Sequence, residues 1–204
     1  MSDALKDRKP WPMKWVIVTI IAVLVPFTYL NLRYRKSAPA YRPYQDAQER
    51  ANVVRLLSAG YKRITLAAQR PADPVQGSIN ATTKAGGGGL PAELVSTLVQ
   101  QPLLPADIIS VTAAPSLAAA QPYAIQFTCT LPDNKQQLAG AALYVKDTQI
   151  VITPDFEFLT GGLLARSRES AILLTVPGNT LKPGTYRVTL AGQHSSRMWS
   201  MQVH

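Results

Sequence analysis

The strongest hydrophobic pattern in the chain is one without interruption. Trp15 to Leu32 runs for 18 residues with no charge, and a helix drawn through it has no polar face. At 1.5 Å per residue it reaches about 27 Å, close to the hydrocarbon thickness of a bilayer. A core helix of a soluble domain would carry a polar stripe. Trp11 and Trp15 stand at one end and Tyr29 and Tyr34 at the other, as aromatic side chains do at the two membrane interfaces. Pro26 interrupts the helical hydrogen bonding, which membrane helices tolerate when neighbouring groups satisfy the freed carbonyl. The pattern predicts a transmembrane helix over 15–32, preceded by a basic tail over 1–14. A cleaved signal peptide competes with this reading. Its apolar region is shorter, however, and here Arg33-Tyr-Arg-Lys36 separates the apolar run from the one candidate cleavage site, Ala38-Pro-Ala40.

Beyond the run, periodicity of a different kind sets in. Residues 37–44 hold Pro39 and Pro43 and read as a linker. Asp46 to Ala59 fits a helix: Ala47, Ala51, Val54, Leu56 and Leu57 recur at helical spacing among Gln48, Glu49, Arg50, Asn52 and Arg55, and Gly60 stops it. A short strand over Tyr61–Ala67 follows. Residues 71–91 read as an irregular, flexible stretch with Gly86 to Gly89 at its centre. The glycines make no phosphate cradle, since Leu90 stands where a P-loop needs Lys-Ser/Thr. A short helix over Pro91–Gln100 closes this juxtamembrane region, 33–106.

From Asp107 the period becomes two. Tyr123, Ile125, Phe127, Cys129 and Leu131 alternate with Ala124, Gln126, Thr128 and Thr130, giving one buried and one wet face. Strands are expected at Ile108–Ala114, Tyr123–Leu131, Ala141–Val145, Gln149–Thr153, Ala171–Val176, Thr185–Ala191 and Arg197–Val203. Turn residues separate them at Pro132-Asp-Asn134, Lys146-Asp-Thr148, Gly161-Gly162 and Pro177-Gly-Asn179. Seven short strands suit a β-sandwich. The segment Leu181-Lys-Pro-Gly-Thr-Tyr-Arg-Val-Thr-Leu190 resembles the corner before the penultimate strand of fibronectin type III and other immunoglobulin-like domains. That resemblance implies an inward Tyr186 whose hydroxyl bonds to backbone. The expected fold class is therefore mainly β: a single N-terminal transmembrane helix, a small juxtamembrane α/β segment, and an immunoglobulin-like β-sandwich over 107–204.

Charge refines the picture. The net charge of +9 suggests nucleic acid, but residues 1–70 carry 13 Lys and Arg against 4 Asp and Glu, and residues 71–204 carry eight of each. The excess therefore flanks the apolar run, where it meets anionic lipid head groups, and not the folded domain, where a nucleic-acid binder would need it. Lys6, Arg8, Lys9 and Lys14 on one side face Arg33, Arg35, Lys36, Arg42 and Arg50 on the other. That near balance leaves orientation to the commoner arrangement, tail inside and domain outside.

Candidate chemistry is sparse. His194 and His204 are the two histidines, and the motifs Gly-x-Ser-x-Gly, His-Glu-x-x-His and Cys-x-x-Cys are absent. The one cysteine, Cys129, sits in an apolar strand pattern and reads as a buried, inert thiol. Asp155 and Glu157 share one strand face as a weak cation pair or a solvated edge. His194, Met198, Met201 and His204 suit Cu(I) by ligand type. Strand alternation, however, puts Met198, Ser200, Gln202 and His204 on one face and Trp199, Met201 and Val203 on the other. No catalytic, cofactor-binding or metal site is assigned, and no small-molecule substrate or nucleic-acid partner is expected.

The overall plan is a short basic tail, one span, a juxtamembrane helix and a β domain ending near Trp199. It resembles FixH-type accessory proteins of bacterial haem–copper respiratory oxidases. The resemblance is architectural, and Gly86–Gly89 does not map onto that family. It implies a non-catalytic structural or assembly subunit in a bacterial inner membrane, with the bilayer and other membrane-protein subunits as partners. The alternative is an extracytoplasmic copper-handling protein.

Overall fold

The computed structural model describes residues 12–34, 43–70, 80–161 and 163–204. Most of the basic tail with Trp11, linker residues 37–42 with Ala38-Pro-Ala40, and Pro71, Pro74 and Gly77 lie outside the described residues. The chain forms two compact units, Met1–Pro43 and Tyr44–His204. The first contains helix α1 (Met13–Tyr34), which extends two residues beyond the expected span at each end and keeps Pro26 inside it.

The second unit is mainly β. Helix α2 (Pro43–Ser58) leads to strand β1 (Lys62–Gln69), a short strand β2 (Lys84–Gly87) and helix α3 (Ala92–Thr97). Then come β3 (Asp107–Ala113), β4 (Ser116–Leu117), β5 (Tyr123–Thr130), β6 (Gln136–Lys146), β7 (Gln149–Phe158), β8 (Glu169–Val176), β9 (Gly184–Leu190) and β10 (Ser195–Val203). Pro43 was expected to exclude helix. It opens one instead, because the first helical position needs no N–H and favours proline's fixed φ.

All seven strands expected after Asp107 are present, but they do not form two separate sheets. The hydrogen-bonded order is β10-β3-β5-β8-β1-β6-β7-β9, and β9 pairs again with β10, so eight strands close into a barrel. Two features separate this from the expected immunoglobulin-like sandwich. First, β7, not β6, lies beside β9, in parallel. Second, β1 joins the two halves: Lys62–Leu66 pair with β6, and Ala67–Gln69 pair with β8. A strand expected in the juxtamembrane segment is thus a wall of the barrel.

Side chains fill the interior. Ile125, Phe127, Cys129, Leu143, Ile150, Ile152, Ile172, Leu174, Val188, Leu190, Trp199 and Met201 are all buried in one cluster. A barrel of eight strands is just wide enough for such filling. Buried polar tips find partners within it. The Trp199 Nε1–H donates to Tyr123 Oη at 3.2 Å, and the Tyr123 hydroxyl donates to the Ala114 carbonyl at 2.7 Å.

On β6 and β7 the outer face is buried as well. Leu143, Ile150 and Ile152 point inward, while Ala142, Tyr144 and Val151 meet Leu56, Tyr61, Leu94 and Leu98 from α2, α3 and the turns beside them. Burial on both faces explains why these strands read as continuous apolar runs and not as alternation. The exposed end of this layer is pinned by a cluster: Lys146 is ion-paired to Glu93, Tyr61 Oη donates to Glu93 at 3.2 Å, and the Lys146 ammonium stands 5.1 Å from the centre of the Tyr61 ring. The hydrogen bond from Lys146 holds the Glu93 carboxyl below its usual range.

The glycine run is not the flexible loop expected. Ala85, Gly86 and Gly87 pair with Arg197, Ser196 and Ser195 of β10. A Cβ on Gly88 would lie 2.3 Å from the Gln193 carbonyl oxygen, and Gly89 adopts φ +90° while its N–H donates to Gly192 O at 2.8 Å. Gly88 is there because two backbones approach closely, and Gly89 because its φ favours glycine.

The corner reads as expected. Tyr186 is buried, and its hydroxyl donates to the Lys182 carbonyl at 3.0 Å. Tyr186→Phe removes that hydroxyl and leaves the ring. The expected loss is about 1 kcal/mol, and Tyr186→Ala should lose about 3–5 kcal/mol. Chemical unfolding followed by circular dichroism checks both, and a Phe variant as stable as the parent would remove the corner's role.

The barrel closes between β3 and β10 through one backbone pair, Ser195 with Asp107. Arg197 spans the gap beside it, donating from Nε to Ile108 O at 3.2 Å and from Nη2 to Ile109 O at 2.9 Å. Arg197→Leu keeps the apolar stem and deletes both bonds. It should cost about 1–3 kcal/mol, and amide exchange should rise in 107–110 more than in β5 or β8.

Candidate functional site

The residues singled out from sequence take clear positions. On β10, Met201 is buried in the barrel core together with Trp199 and Val203, whereas Met198 lies partly exposed on the other face beside Gly86 and His204 is exposed at the strand's end. The four candidate copper ligands therefore do not converge, as strand alternation anticipated. Among the described residues, no group of three or more His, Cys, Asp or Glu side chains gathers as a metal would require.

His194 sits in the β9–β10 connection with Nδ1 3.7 Å from Asp107 Oδ2. Ser195 Oγ donates to the other carboxylate oxygen of Asp107 at 2.8 Å. Sequence reading missed this Ser-His-Asp grouping, because 88 residues separate Asp107 from Ser195 and only the closure of the barrel brings them together. Its order is wrong for nucleophilic catalysis. A hydrolytic serine donates to the histidine, which the carboxylate then orients. Here serine and histidine both address the carboxylate, and the cluster ties the barrel seam.

Asp155 and Glu157 point outward on either side of the inward Phe156 and have separate partners. Asp155 Oδ1 accepts from the Leu103 N–H at 3.3 Å, and Glu157 Oε1 accepts from Gln137 Nε2 at 2.8 Å. Burial raises the Asp155 carboxyl above its usual range. A shallow cleft of about 290 Å³ lies between the β6–β7 turn and β9, lined by Thr148, Gln149, Thr185, Tyr186, Arg187 and Ser200. It is polar and open, unlike the enclosed apolar pockets that hold most small ligands.

The element best built for a function outside the fold is α1. Met13–Asn31 has a mean hydropathy of 2.0 over its most apolar window, and none of that window is buried within the structure. Length and composition suffice for crossing a membrane, and an N-terminal signal sequence passes the same test.

Cys129 is fully buried, its Sγ 3.6 Å from the Ser170 carbonyl, and burial pushes the thiol up to about 12 from 9.0. A thiol whose folded-state pKa is raised stabilises the fold fully below its unfolded value. Above that value the unfolded chain ionises first, so stability falls as pH climbs from about 9 towards 12. Cys129→Val should flatten the fall in unfolding free energy across that window by one proton's worth. Thiol reagents should modify Cys129 only as fast as the domain opens, and rapid labelling of the native chain would contradict its burial.

No protein-family model matches the chain, and no curated protein or solved structure matches it either.

Proposed function

We propose that this chain is a single-pass membrane protein whose β domain serves as a non-catalytic structural or assembly subunit of a membrane complex. The observation that carries the reading is α1, an apolar helix of membrane-crossing length with its most hydrophobic window wholly uncovered. Large apolar side chains such as Ile17, Val23, Leu24 and Phe27 are each more than half exposed there, a state that water does not sustain over several turns. Permanent retention is favoured over signal cleavage by the length of the run and by the basic block Arg33–Lys36 after it. We take the tail as cytoplasmic and the β domain as extracytoplasmic, in a bacterial inner membrane.

The non-catalytic part of the reading draws on the chemistry of the domain. Its buried cysteine is inert, its Ser-His-Asp grouping is wired for the seam, and its barrel interior is packed with side chains. The immunoglobulin-like likeness of the corner at Leu181–Leu190 and the FixH-like plan point towards an accessory role beside a respiratory haem–copper oxidase. The copper-handling alternative gains nothing from Met198 and Met201, which lie on opposite faces of β10.

Two measurements test this. The mature chain should stay with membranes after carbonate washing and keep its N-terminal tail; a mature N-terminus at Tyr41 would show cleavage and end the anchor reading. Gentle-detergent purification should bring down integral membrane subunits in fixed proportion, and a chain that migrates alone would end the subunit reading.

A further inference from the structure

Helix α2 is turned the wrong way round for a soluble domain. Leu56 is buried against the barrel wall, and the partly buried polar Asn52 shares that inward face, its Oδ1 accepting from the Val99 N–H at 2.7 Å. The opposite face carries Ala47, Ala51, Val54 and Leu57, four of the five apolar positions whose spacing marked the helix in the sequence. Val53, Val54 and Leu57 are 45%, 66% and 65% exposed. A helix that covers a barrel ordinarily does the reverse, burying its apolar stripe and wetting its polar one.

The geometry points to a lipid surface as what covers this face: α2 lies in the interfacial layer of the bilayer that α1 crosses, with Val53, Val54 and Leu57 among the head groups and upper acyl chains. The inference rests on the membrane-anchor reading above, and two observations commit it to lipid. The first is chain length. Eight residues separate Tyr34, the end of α1, from Pro43, the start of α2. Even fully extended they reach about 30 Å, so the length of the chain limits the start of α2 to within that distance of the end of α1. The second is charge. Residues 33–63 hold eight Lys and Arg against two Asp and Glu; the helix itself is balanced, Arg50 and Arg55 against Asp46 and Glu49, and the excess flanks it, with Arg33, Arg35, Lys36 and Arg42 before and Lys62 and Arg63 after. Arg50 stands within the exposed stripe and Arg55 beside it, both exposed. An apolar stripe edged by arginine suits an anionic lipid interface, where apolar side chains sink about 5–10 Å and each nearby basic residue adds about 1 kcal/mol. It suits water poorly.

Environment-sensitive labelling of the full chain tests this. Val54→Cys is labelled with a nitrobenzoxadiazole thiol probe, with Lys182→Cys as an exposed reference; buried Cys129 gives the background in the unsubstituted chain. Each is reconstituted in vesicles of about three parts phosphatidylcholine to one part phosphatidylglycerol. At position 54 the emission should shift to the blue, and quenching by lipids carrying a nitroxide near the head group should exceed that at position 182 roughly threefold or more. The shift should weaken in high salt or without phosphatidylglycerol. A probe at position 54 as open to aqueous iodide as the one at 182, in a chain that still resists carbonate, would overturn the inference and leave the anchor standing. Protection from iodide without quenching by the lipid nitroxide would also overturn it, since protein would then be the cover. Release of the chain by carbonate would bring down both readings.

Discussion

Everything in the β domain depends on closing a circuit whose last joint is weak. Seven of the eight neighbouring pairs in the barrel are extended ladders, while β3 and β10 share one backbone pair at Ser195 and Asp107, backed by the Gln193 and His194 N–H groups, which donate to the Pro105 and Ala106 carbonyls. A sheet edge left open presents unpaired N–H and C=O groups, and burying them unpaired costs more than a hydrogen bond is worth. The chain meets the need with side chains and with short detours of backbone. Arg197 supplies donors to the Ile108 and Ile109 carbonyls where a bulge interrupts pairing between β3 and β5, and Asp107 accepts from Ser195. Further along, β4 takes over after Pro115 and pairs in parallel with Gln202 and Val203. The grouping that looks most like an active site is a consequence of this joint: His194, Ser195 and Asp107 are together because the barrel has to close there.

The second constraint is the strand that arrives from outside the expected domain. Without β1, β6 and β8 would each expose an edge, and the seven later strands would form an open, rolled sheet. β1 changes partner at Leu66 and Ala67 and so converts the roll into a barrel. Its placement fixes α2, which precedes it by a tight turn at Gly60, φ +81°. α2 and α3 in turn bury the outer faces of Tyr144 and Val151. α2, α3 and the turns beside them are therefore a cover for one barrel wall, tied down by Lys146, Glu93 and Tyr61 at one end.

This also explains what the sequence could reveal. Alternation located the strands because burial on one face imposes a period of two, and Tyr123–Leu131 shows it best. The corner at Tyr186 was legible because its partner, Lys182, is four residues away. The order of strands was not legible: pairing of β7 with β9 and of β1 with two partners is set by long-range closure, on which local periodicity is silent. The glycine run misled for a related reason. Gly86 to Gly89 look flexible alone, and the need for Gly88 shows only once Gln193 and His194 are packed within Cβ distance of it. In α2 the spacing marked the helix but not which way it turns: of its apolar positions Leu56 is buried, while Ala47, Ala51, Val54 and Leu57 face outward. The seam cluster was illegible because its members are nearly ninety residues apart.

The packing of the barrel bears directly on where function can reside. Phe127, Ile152, Leu174 and Leu190 belong to the barrel's core with essentially no exposure, as expected of an eight-stranded barrel filled by its own side chains. The outer surfaces are unequal: the wall formed by β6 and β7 is covered by helices, and the helix that covers it presents apolar side chains outward in turn. Coverage passes from strand to helix and ends on Val54 and Leu57, which are about two-thirds exposed among the described residues. An uncovered apolar face on a helix that starts eight residues beyond a membrane-length apolar helix poses the same physical problem as that helix, and under the proposed reading one bilayer would answer both.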